Sequence, residues 1–345
     1  MGTGEAMSVV AITGASAGIG RACARLFADR GYEVGLIARA SDGLAGAVAD
    51  VEQAGSRAVA VPVDVSDAEA LEKASLSITE ELGPIDVWVN NAMATVYGPF
   101  LDISADEYRR VTEVTYLGFV NGTRAALHRM MPRDRGVIVQ IGSALAYRGI
   151  PLQSAYCGAK HAVQGFTDSV RCELLHDRSA VRLVEVHMPA VNTPQLDADL
   201  LADERAFRIQ RSKLRRRTQP VPPIYQPELA AEAVWHAAHH RRRQVWVGLP
   251  TVYTILGERF AGPMLDAFLG RTGYKSQELD EPRPDDDPDN LYDPVPGDHG
   301  AHGPFEASSY SRQLRLNLSR PVARVAEAID VGAAAAGRAL ARLTG

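Results

Sequence analysis

The chain of 345 residues contains only three cysteines, Cys23, Cys157 and Cys172, and none has the Cys-x-x-Cys spacing. This argues against a disulfide framework and a structural zinc site, so we expect a cytoplasmic protein without a bound metal. No apolar run reaches the roughly 18 residues of a membrane span, and the first residues do not have the pattern of a secretory signal. With a net charge of −5, the composition also argues against nucleic acid as a partner.

Lysine is scarce as well, since only four of the 37 basic residues are Lys. One of them, Lys160, lies four residues after Tyr156 in a predicted helix, so the two side chains share a helix face. A nearby ammonium favours the phenolate and lowers a tyrosine pKa from its usual value of about 10. Ser143 directly follows a predicted strand and can orient a carbonyl oxygen. These three residues are the catalytic candidates; the alternative is a buried tyrosine beside a structural lysine.

Strand and helix patterns alternate over the first 190 residues, which predicts a parallel sheet covered by helices on both faces. The strands are predicted at 9–13, 33–38, 58–63, 85–90, 136–142, 181–188 and 244–248. The helices are predicted at 19–30, 43–54, 67–82, 105–131, 155–175 and 228–240. The fold class is therefore α/β, with a doubly wound, seven-stranded sheet in residues 1–250.

The remaining segments do not follow this alternation. Residues 190–227 form a long excursion in which a substrate loop or lid is expected, and 251–274 form an appended helix. Residues 275–320 are predicted to be an acidic, proline-rich extended linker, with nine acids between 275 and 300 that could lie across Arg241–Arg243 or Arg215–Arg217. Residues 321–345 are predicted to form an amphipathic helix. We favour docking of this tail within the protein or its oligomer; a partner protein or a membrane surface remains open.

A glycine-rich turn joins the first strand to the first helix, with the sequence TGASAGIG over residues 13–20. Such a turn lets the backbone approach a pyrophosphate, and the helix N-terminus attracts its charge. The second strand ends in Ala38-Arg39 rather than in the acid that holds a ribose hydroxyl in NAD-binding proteins. Arg39 therefore predicts a 2′-phosphate and NADP; NAD with a solvated Arg39 is the alternative. The candidate pyrophosphate residues are Gly14, Ser16, Gly18, Ile19 and Gly20.

Together these motifs resemble the single-domain form of the short-chain dehydrogenase/reductase superfamily over roughly residues 7–250. The resemblance implies a Rossmann-type fold, Tyr156 as the general acid/base, Lys160 as the group that lowers its pKa and holds the nicotinamide ribose, and Ser143 as the residue that positions the substrate. It also implies that long helices at 105–131 and 155–175 pair subunits into a dimer or tetramer. The remaining cofactor contacts that it implies are Asp64 and Val65 at the adenine, Asn91 and Ala92 along the cofactor, and Pro189, Val191 and Thr193 towards the carboxamide.

Three residues depart from the family pattern: Met93 and Ala190 replace glycines, and Thr115 stands where an asparagine is usual. The expected pocket walls are mostly apolar, which favours an NADP-dependent oxidoreductase acting on an apolar ketone or secondary alcohol. These walls are Met93, Val96, Tyr97, Ala144, Leu145, Tyr147, Gln153, Met188 and the 190–227 loop. An acidic carrier or coenzyme A ester is a possibility raised by the basic residues of that loop, although a solvated helix face is favoured. The alternative functions are a catalytically weak dinucleotide-binding sensor or scaffold that uses its tail and, third, a nucleotide-sugar epimerase.

Overall fold

The computed structural model describes residues 8–39, 41–195, 210–283 and 288–310. The predicted C-terminal helix at 321–345 lies outside these residues, as does the part of the substrate loop at 196–209. Seven parallel strands form one sheet in the order β7-β6-β5-β4-β1-β2-β3, which confirms the predicted fold class. The strands are β1 (Val9–Thr13), β2 (Glu33–Ala38), β3 (Ala58–Pro62), β4 (Ile85–Asn90), β5 (Val137–Ser143), β6 (Arg182–Met188) and β7 (Gln244–Trp246).

Helices cover both faces of this sheet, so the central strands are buried on both sides and consist of nearly continuous apolar residues. One apolar core forms against α1 (Gly18–Asp29), α2 (Ser41–Gln53) and α7 (Pro227–His239). A second core forms on the opposite face. It packs against α3 (Ala68–Leu82), α4 (Ala105–Thr112), α5 (Gly118–Met130) and α6 (Ser154–His176).

The chain direction reverses between β1 and β4, because β1 pairs with β2 on one side and with β4 on the other. In open sheets of this kind, ligands bind at this switch point, beyond the carboxyl ends of the strands. On the far side of β4, β5 and β6 pair in register from Val137 opposite Arg182 to Ser143 opposite Met188. The sheet edge therefore presents the ends of β1, β4 and β5 side by side.

The helix predicted at 105–131 extends from Ala105 to Met130 and contains one irregular turn. A π-helical turn, Glu113–Leu117, separates α4 from α5. Thr115 lies in this turn, where its hydroxyl donates to the Ala94 carbonyl at 2.6 Å and accepts from the Ala94 N–H at 2.9 Å. These bonds tie the turn to the loop after β4. A π turn inserts one extra residue into a helix. The apolar periodicity of the sequence does not reveal this local change.

The 190–227 excursion contains short strands that the sequence analysis did not predict. Ala190–Val191 pairs with Ile224–Tyr225, which pairs in turn with Ser309–Tyr310 near the end of the described chain. Arg216–Thr218 pairs with Glu278–Pro282. Such two- to five-residue strands have too few positions to show a period of two, and their partners lie far away in the chain.

The described part of the acidic segment lies across one of the two predicted arginine groups. Arg216 contacts Asp280 at 2.6 Å, and Arg217 contacts Glu281 at 3.6 Å. Two further cations of the loop, Arg211 and Lys213, contact the buried carboxylate of Glu107 at 2.5 and 2.7 Å. These four cations of the loop thus contact carboxylates of the same chain.

Helix α8 (Gly248–Thr272) follows the sheet and is bent at Ala261, where the backbone leaves the helical conformation. After it, residues 288–310, which we call the strap, return to the carboxyl edge of the sheet. The buried side chain of Leu291 belongs to the same core as α4 and α5. Among the described helices, none is long and apolar enough to cross a membrane.

Candidate active site

The three catalytic candidates come together at the carboxyl end of β5. Ser143 is the last residue of that strand, and Tyr156 and Lys160 lie in the first two turns of α6. The side chains of Ser143 and Tyr156 line the same cavity, where Ser143 acts to lower the pKa of Tyr156. The Ser143 oxygen accepts the N–H of Leu145 at 3.1 Å. The pair therefore presents two hydroxyl groups at one point of the sheet edge.

Lys160 lies behind the tyrosine, with only 2% of its surface exposed. Its Nζ donates to the Ile141 carbonyl at 2.7 Å and lies 4.4 Å from the centre of the Phe119 ring. The distance from Nζ to the centre of the Tyr156 ring is 5.7 Å. The ammonium thus contacts a carbonyl and an aromatic face, and it approaches the tyrosine ring.

Burial dominates the proton affinities at this site. It raises the pKa of Tyr156 to about 12, against the smaller opposite effect of the Ser143 side chain. It lowers the pKa of Lys160 to about 7, against the attraction of Glu185. The sequence predicts that Lys160 lowers the pKa of Tyr156; in this structure burial has the largest effect and raises that pKa, because it disfavours the phenolate.

The glycine-rich turn lies at the switch point between β1 and β4. Gly14 has a φ of +66°, and a Cβ atom there would lie 2.8 Å from the Cα of Ala92. The side-chain amide of Asn91 donates to the carbonyls of Thr13 and Gly14 at 3.0 and 3.2 Å. Asn91 therefore ties the turn to the end of β4. The turn leads directly into the N-terminus of α1, where backbone N–H groups favour an anion.

One cavity of about 730 Å³ joins the turn to the catalytic candidates. All the site residues predicted from the sequence line it except Gly20, which lies behind the turn, where a Cβ atom would be 2.2 Å from the Gly14 oxygen. The predicted residues in the lining are Gly14, Ser16, Gly18, Ile19, Arg39, Asp64, Val65, Asn91, Ala92, Ser143, Tyr156, Lys160, Pro189, Val191 and Thr193. A cavity of this size, with glycines where side chains would block the backbone, fits a dinucleotide.

At the expected adenosine end of the cavity, Arg39 and Asp64 line the wall, and Arg110 contacts Asp64. Arg39 donates from its two terminal nitrogens to the carbonyls of Tyr292 and Asn290, at 2.7 and 2.5 Å. Asp64 accepts from Arg110 and, at 2.8 Å, from the hydroxyl of Ser66. Arg39 therefore lines the cavity directly after β2 and also holds the strap.

Most of the predicted substrate walls line the other end of the cavity. Val96 and Tyr147 do not: Val96 is fully buried, and the Tyr147 hydroxyl faces His187 at 3.5 Å. The walls that the sequence analysis predicted and the structure contains are Met93, Tyr97, Ala144, Leu145, Gln153, Met188 and Ala190. Arg148 and Ile150 are further residues of this wall.

Two sets of lining residues were missed by the sequence analysis, because both come from segments beyond the sheet. One set belongs to α8 and comprises Pro250, Tyr253, Thr254, Leu265, Phe268, Leu269 and Thr272. The other set belongs to the strap and comprises Asn290, Pro294, Val295, Gly297 and His299. The sequence features that could have indicated these lining residues are the apolar residues of α8 and the glycines at 297, 300 and 303. Neither feature predicts a cavity wall unless the path of the chain is known.

Residues 8–204, more than half of the chain, match the family model described as short chain dehydrogenase. The chain belongs to this family. It is 30% identical over 294 residues to the uncharacterized oxidoreductase YxnA of Bacillus subtilis, an alignment that covers 84% of this chain and 79% of YxnA. The protein is thus an oxidoreductase of the short-chain type, with the dinucleotide-binding fold of that family.

Two solved structures of the family are 27% identical to this chain, and each alignment covers 70% of it. One is an alcohol dehydrogenase from the archaeon Thermococcus sibiricus complexed with 5-hydroxy-NADP, with a TM-score of 0.57 and 95% of that chain covered. The other is a short-chain dehydrogenase from Mycobacterium paratuberculosis bound to NAD, with a TM-score of 0.60 and 97% covered. The family resemblance expected from the sequence is therefore confirmed, and both dinucleotides occur among similar proteins.

Proposed function

We propose that the protein is an NADP-dependent oxidoreductase that interconverts an apolar ketone and a secondary alcohol. The observation that carries this proposal is the cavity that is lined by Ser143, Tyr156 and Lys160 at one end and by the glycine-rich turn at the other. The dinucleotide, when bound, supplies or accepts the hydride.

The residues of the chain then handle the proton and the substrate oxygen. In the direction of reduction, the Tyr156 hydroxyl donates its proton to the carbonyl oxygen; in the direction of oxidation, it accepts the proton of the alcohol. The Ser143 hydroxyl donates a hydrogen bond to the same oxygen and so orients the substrate. Lys160 holds the nicotinamide ribose and keeps positive charge close to Tyr156 when it is protonated. Its pKa of about 7 makes that charge sensitive to pH near neutrality.

The preference for NADP rests on Arg39. A guanidinium has five N–H donors in a planar fork, and the strap carbonyls accept two of them. The remaining donors are sufficient for a 2′-phosphate, and no acid follows β2 to hold a free 2′-hydroxyl. Gly14, Ser16, Gly18 and Ile19 would hold the pyrophosphate. The other cofactor contacts would come from Asp64, Val65, Asn91, Ala92, Pro189, Val191 and Thr193.

An apolar substrate is supported by the walls beyond the catalytic pair. Met93, Leu145 and Met188 line one side, and the α8 side chains Leu265 and Phe268 line another. Phe268 is 58% exposed, so an apolar surface continues from the cavity to its mouth. Four of the loop cations that could attract an acidic carrier, Arg211, Lys213, Arg216 and Arg217, contact carboxylates of the protein.

A homodimer or homotetramer in the cytoplasm completes the proposal. The outer face of α6 supports it, because Gly158 and Gly165 are surrounded by open space in which a second helix could pack closely. The measurement is the mass of the protein in solution, and a monomer at micromolar concentration would contradict this part.

The decisive experiment measures NADPH consumption at 340 nm over a panel of ketones of increasing apolar size. We expect turnover with apolar ketones and little with polyhydroxy ketones. Tyr156→Phe should lower kcat by about 10²–10⁴-fold, the usual contribution of a general acid/base, and leave dinucleotide binding unchanged. Full turnover in Tyr156→Phe, or no consumption by the wild-type protein with any ketone or alcohol, would refute the proposal and favour a sensor or scaffold.

A further inference from the structure

We propose that the strap, residues 288–310, is the outer wall of the dinucleotide site and has to open for the cofactor to exchange. This inference rests on the proposed function only in that a dinucleotide occupies the cavity. It adds residues from outside the sheet domain to the binding site and predicts a slow step in cofactor release.

The strap begins at the adenosine end of the cavity. The carbonyls of Asn290 and Tyr292 accept hydrogen bonds from Arg39, and the Leu291 carbonyl accepts one from Arg110 at 3.0 Å. The Leu291 side chain is fully buried. Three consecutive carbonyls are thus held by two arginines, and an apolar anchor lies between them.

The middle of the strap crosses the phosphate-binding turn. The Gly300 carbonyl accepts the N–H of Gly18, the first residue of α1, at 3.0 Å. Two residues earlier, Asp298 contacts Arg21 at 3.0 Å, and only 3% of the Arg21 side chain is exposed. The strap therefore engages the first turn of the helix whose N-terminus faces the expected pyrophosphate.

The far end of the strap covers the segment that follows β6. The N–H of Gly303 donates to the Asn192 carbonyl at 3.3 Å, and the N–H of Phe305 donates to the Asn192 side chain at 3.0 Å. A Cβ atom on Gly303 would lie 2.3 Å from the Thr193 carbonyl, so only glycine allows this approach. The strap thus follows the sheet edge from the adenosine end to Thr193, along the whole expected length of the cofactor.

The cavity remains open beneath this cover. Its walls include strap residues on one side and the turn, Arg39 and Asp64 on the other. A dinucleotide in the cavity would therefore contact both sides, with Asn290 and His299 as its polar neighbours in the strap. Because the strap is held at three separate places, we infer that bound cofactor leaves only after several contacts break, so its dissociation is slow.

The test measures cofactor release from the full-length protein in three variants. Asp298→Asn removes the ion pair with Arg21. Gly46→Ala acts on the same contact from α2, because its Cβ would lie 2.0 Å from an Asp298 carboxylate oxygen. Gly270→Ala is the matched control, since this helical glycine has nothing within 4 Å of a Cβ. Each protein is saturated with NADPH, mixed rapidly with excess NADP⁺, and followed by the loss of NADPH fluorescence; NADH and NAD⁺ are used in a parallel series.

We expect release to be about three- to tenfold faster in Asp298→Asn and Gly46→Ala, because the ion pair joins a buried arginine to a carboxylate that is 40% exposed, and unchanged in Gly270→Ala. Hydrogen exchange of peptides within 288–303 should also slow when NADPH binds to the wild-type protein. Release rates within about twofold of wild type in both folded variants, or equal acceleration in the control, would overturn the inference. If one variant fails to fold, the other variant and the exchange of the wild-type strap still decide the question.

If the proposed function is wrong, the same measurements give a different result. A wild-type protein that gives no fluorescence change with NADPH or NADH does not bind a dinucleotide, and the proposed function fails together with the inference. A protein that binds and reduces ketones, but releases cofactor at a rate independent of the strap, retains the function and loses only the inference.

Discussion

Replacing Lys160 by methionine should stabilise the protein near neutral pH while it abolishes turnover. The side chain is only 2% exposed, and its charge has one carbonyl and one aromatic ring as close partners. Burial lowers its pKa from 10.5 to about 7. Methionine has a similar length and carries no charge, so it removes the cost of burying an ionisable group.

The magnitude follows from the pKa of Lys160. One pKa unit corresponds to about 1.4 kcal/mol. A pKa of about 7 in the folded state therefore implies that Lys160 lowers the free energy of unfolding of the wild type by about 4 kcal/mol at pH 7 and by about 2 kcal/mol at pH 9, relative to a pH at which the lysine is neutral in both states. Losing the hydrogen bond to Ile141 costs the variant about 1 kcal/mol at every pH. Lys160→Met should therefore exceed wild type in free energy of unfolding by a few kcal/mol at pH 7 and by about 2 kcal/mol less at pH 9.

The stability of the wild-type protein should rise with pH above neutrality. Between pH 7 and 10.5 the unfolded lysine is protonated and the folded one is mostly neutral, so the unfolded state binds more protons and wild-type stability rises with pH. The free energy of unfolding is measured in urea at pH 7, 8 and 9 for both proteins. Lys73→Met is the matched control, because Lys73 is exposed and the same substitution should give no such trend. A stability difference between Lys160→Met and wild type that does not change with pH would refute the reasoning.

Three further outcomes are expected. Arg39→Asp should weaken NADPH binding at least tenfold more than NADH binding in titrations, because it replaces the partner of a 2′-phosphate by a like charge; equal losses would refute this role. Ser143→Ala should lower kcat about 10²-fold with dinucleotide affinity unchanged, whereas unchanged turnover would remove Ser143 from the catalytic set. Glu107→Gln should cost about 3 kcal/mol at pH 7, because the hydrogen bonds from Lys213, Ser104 and Arg211 outweigh burial and lower the pKa of Glu107 to about 2. Thermal unfolding of wild type and Glu107→Gln should converge as the pH falls below about 4.5, and a constant gap would contradict the assignment.

The sequence by itself was sufficient to predict the sheet, its helices and the elements that carry the site. The apolar runs of β1, β4 and β5 and the glycine-rich turn between β1 and α1 are local features, because burial on both faces and a tight turn each restrict the residue types over a few positions. The spacing of Tyr156 and Lys160 is local in the same way, since one helical turn brings the two side chains to one face.

The tertiary structure decided the features that depend on distant parts of the chain. It determined that Lys160 turns to Ile141 and Phe119, so that burial rather than charge pairing controls the pKa values of the site. It also determined that Arg39, at the end of β2, is bonded to carbonyls more than 250 positions later in the sequence. The strap is held largely by backbone groups and glycines, which leave no periodic pattern in the sequence. Only the folded chain therefore shows that the strap covers the cavity.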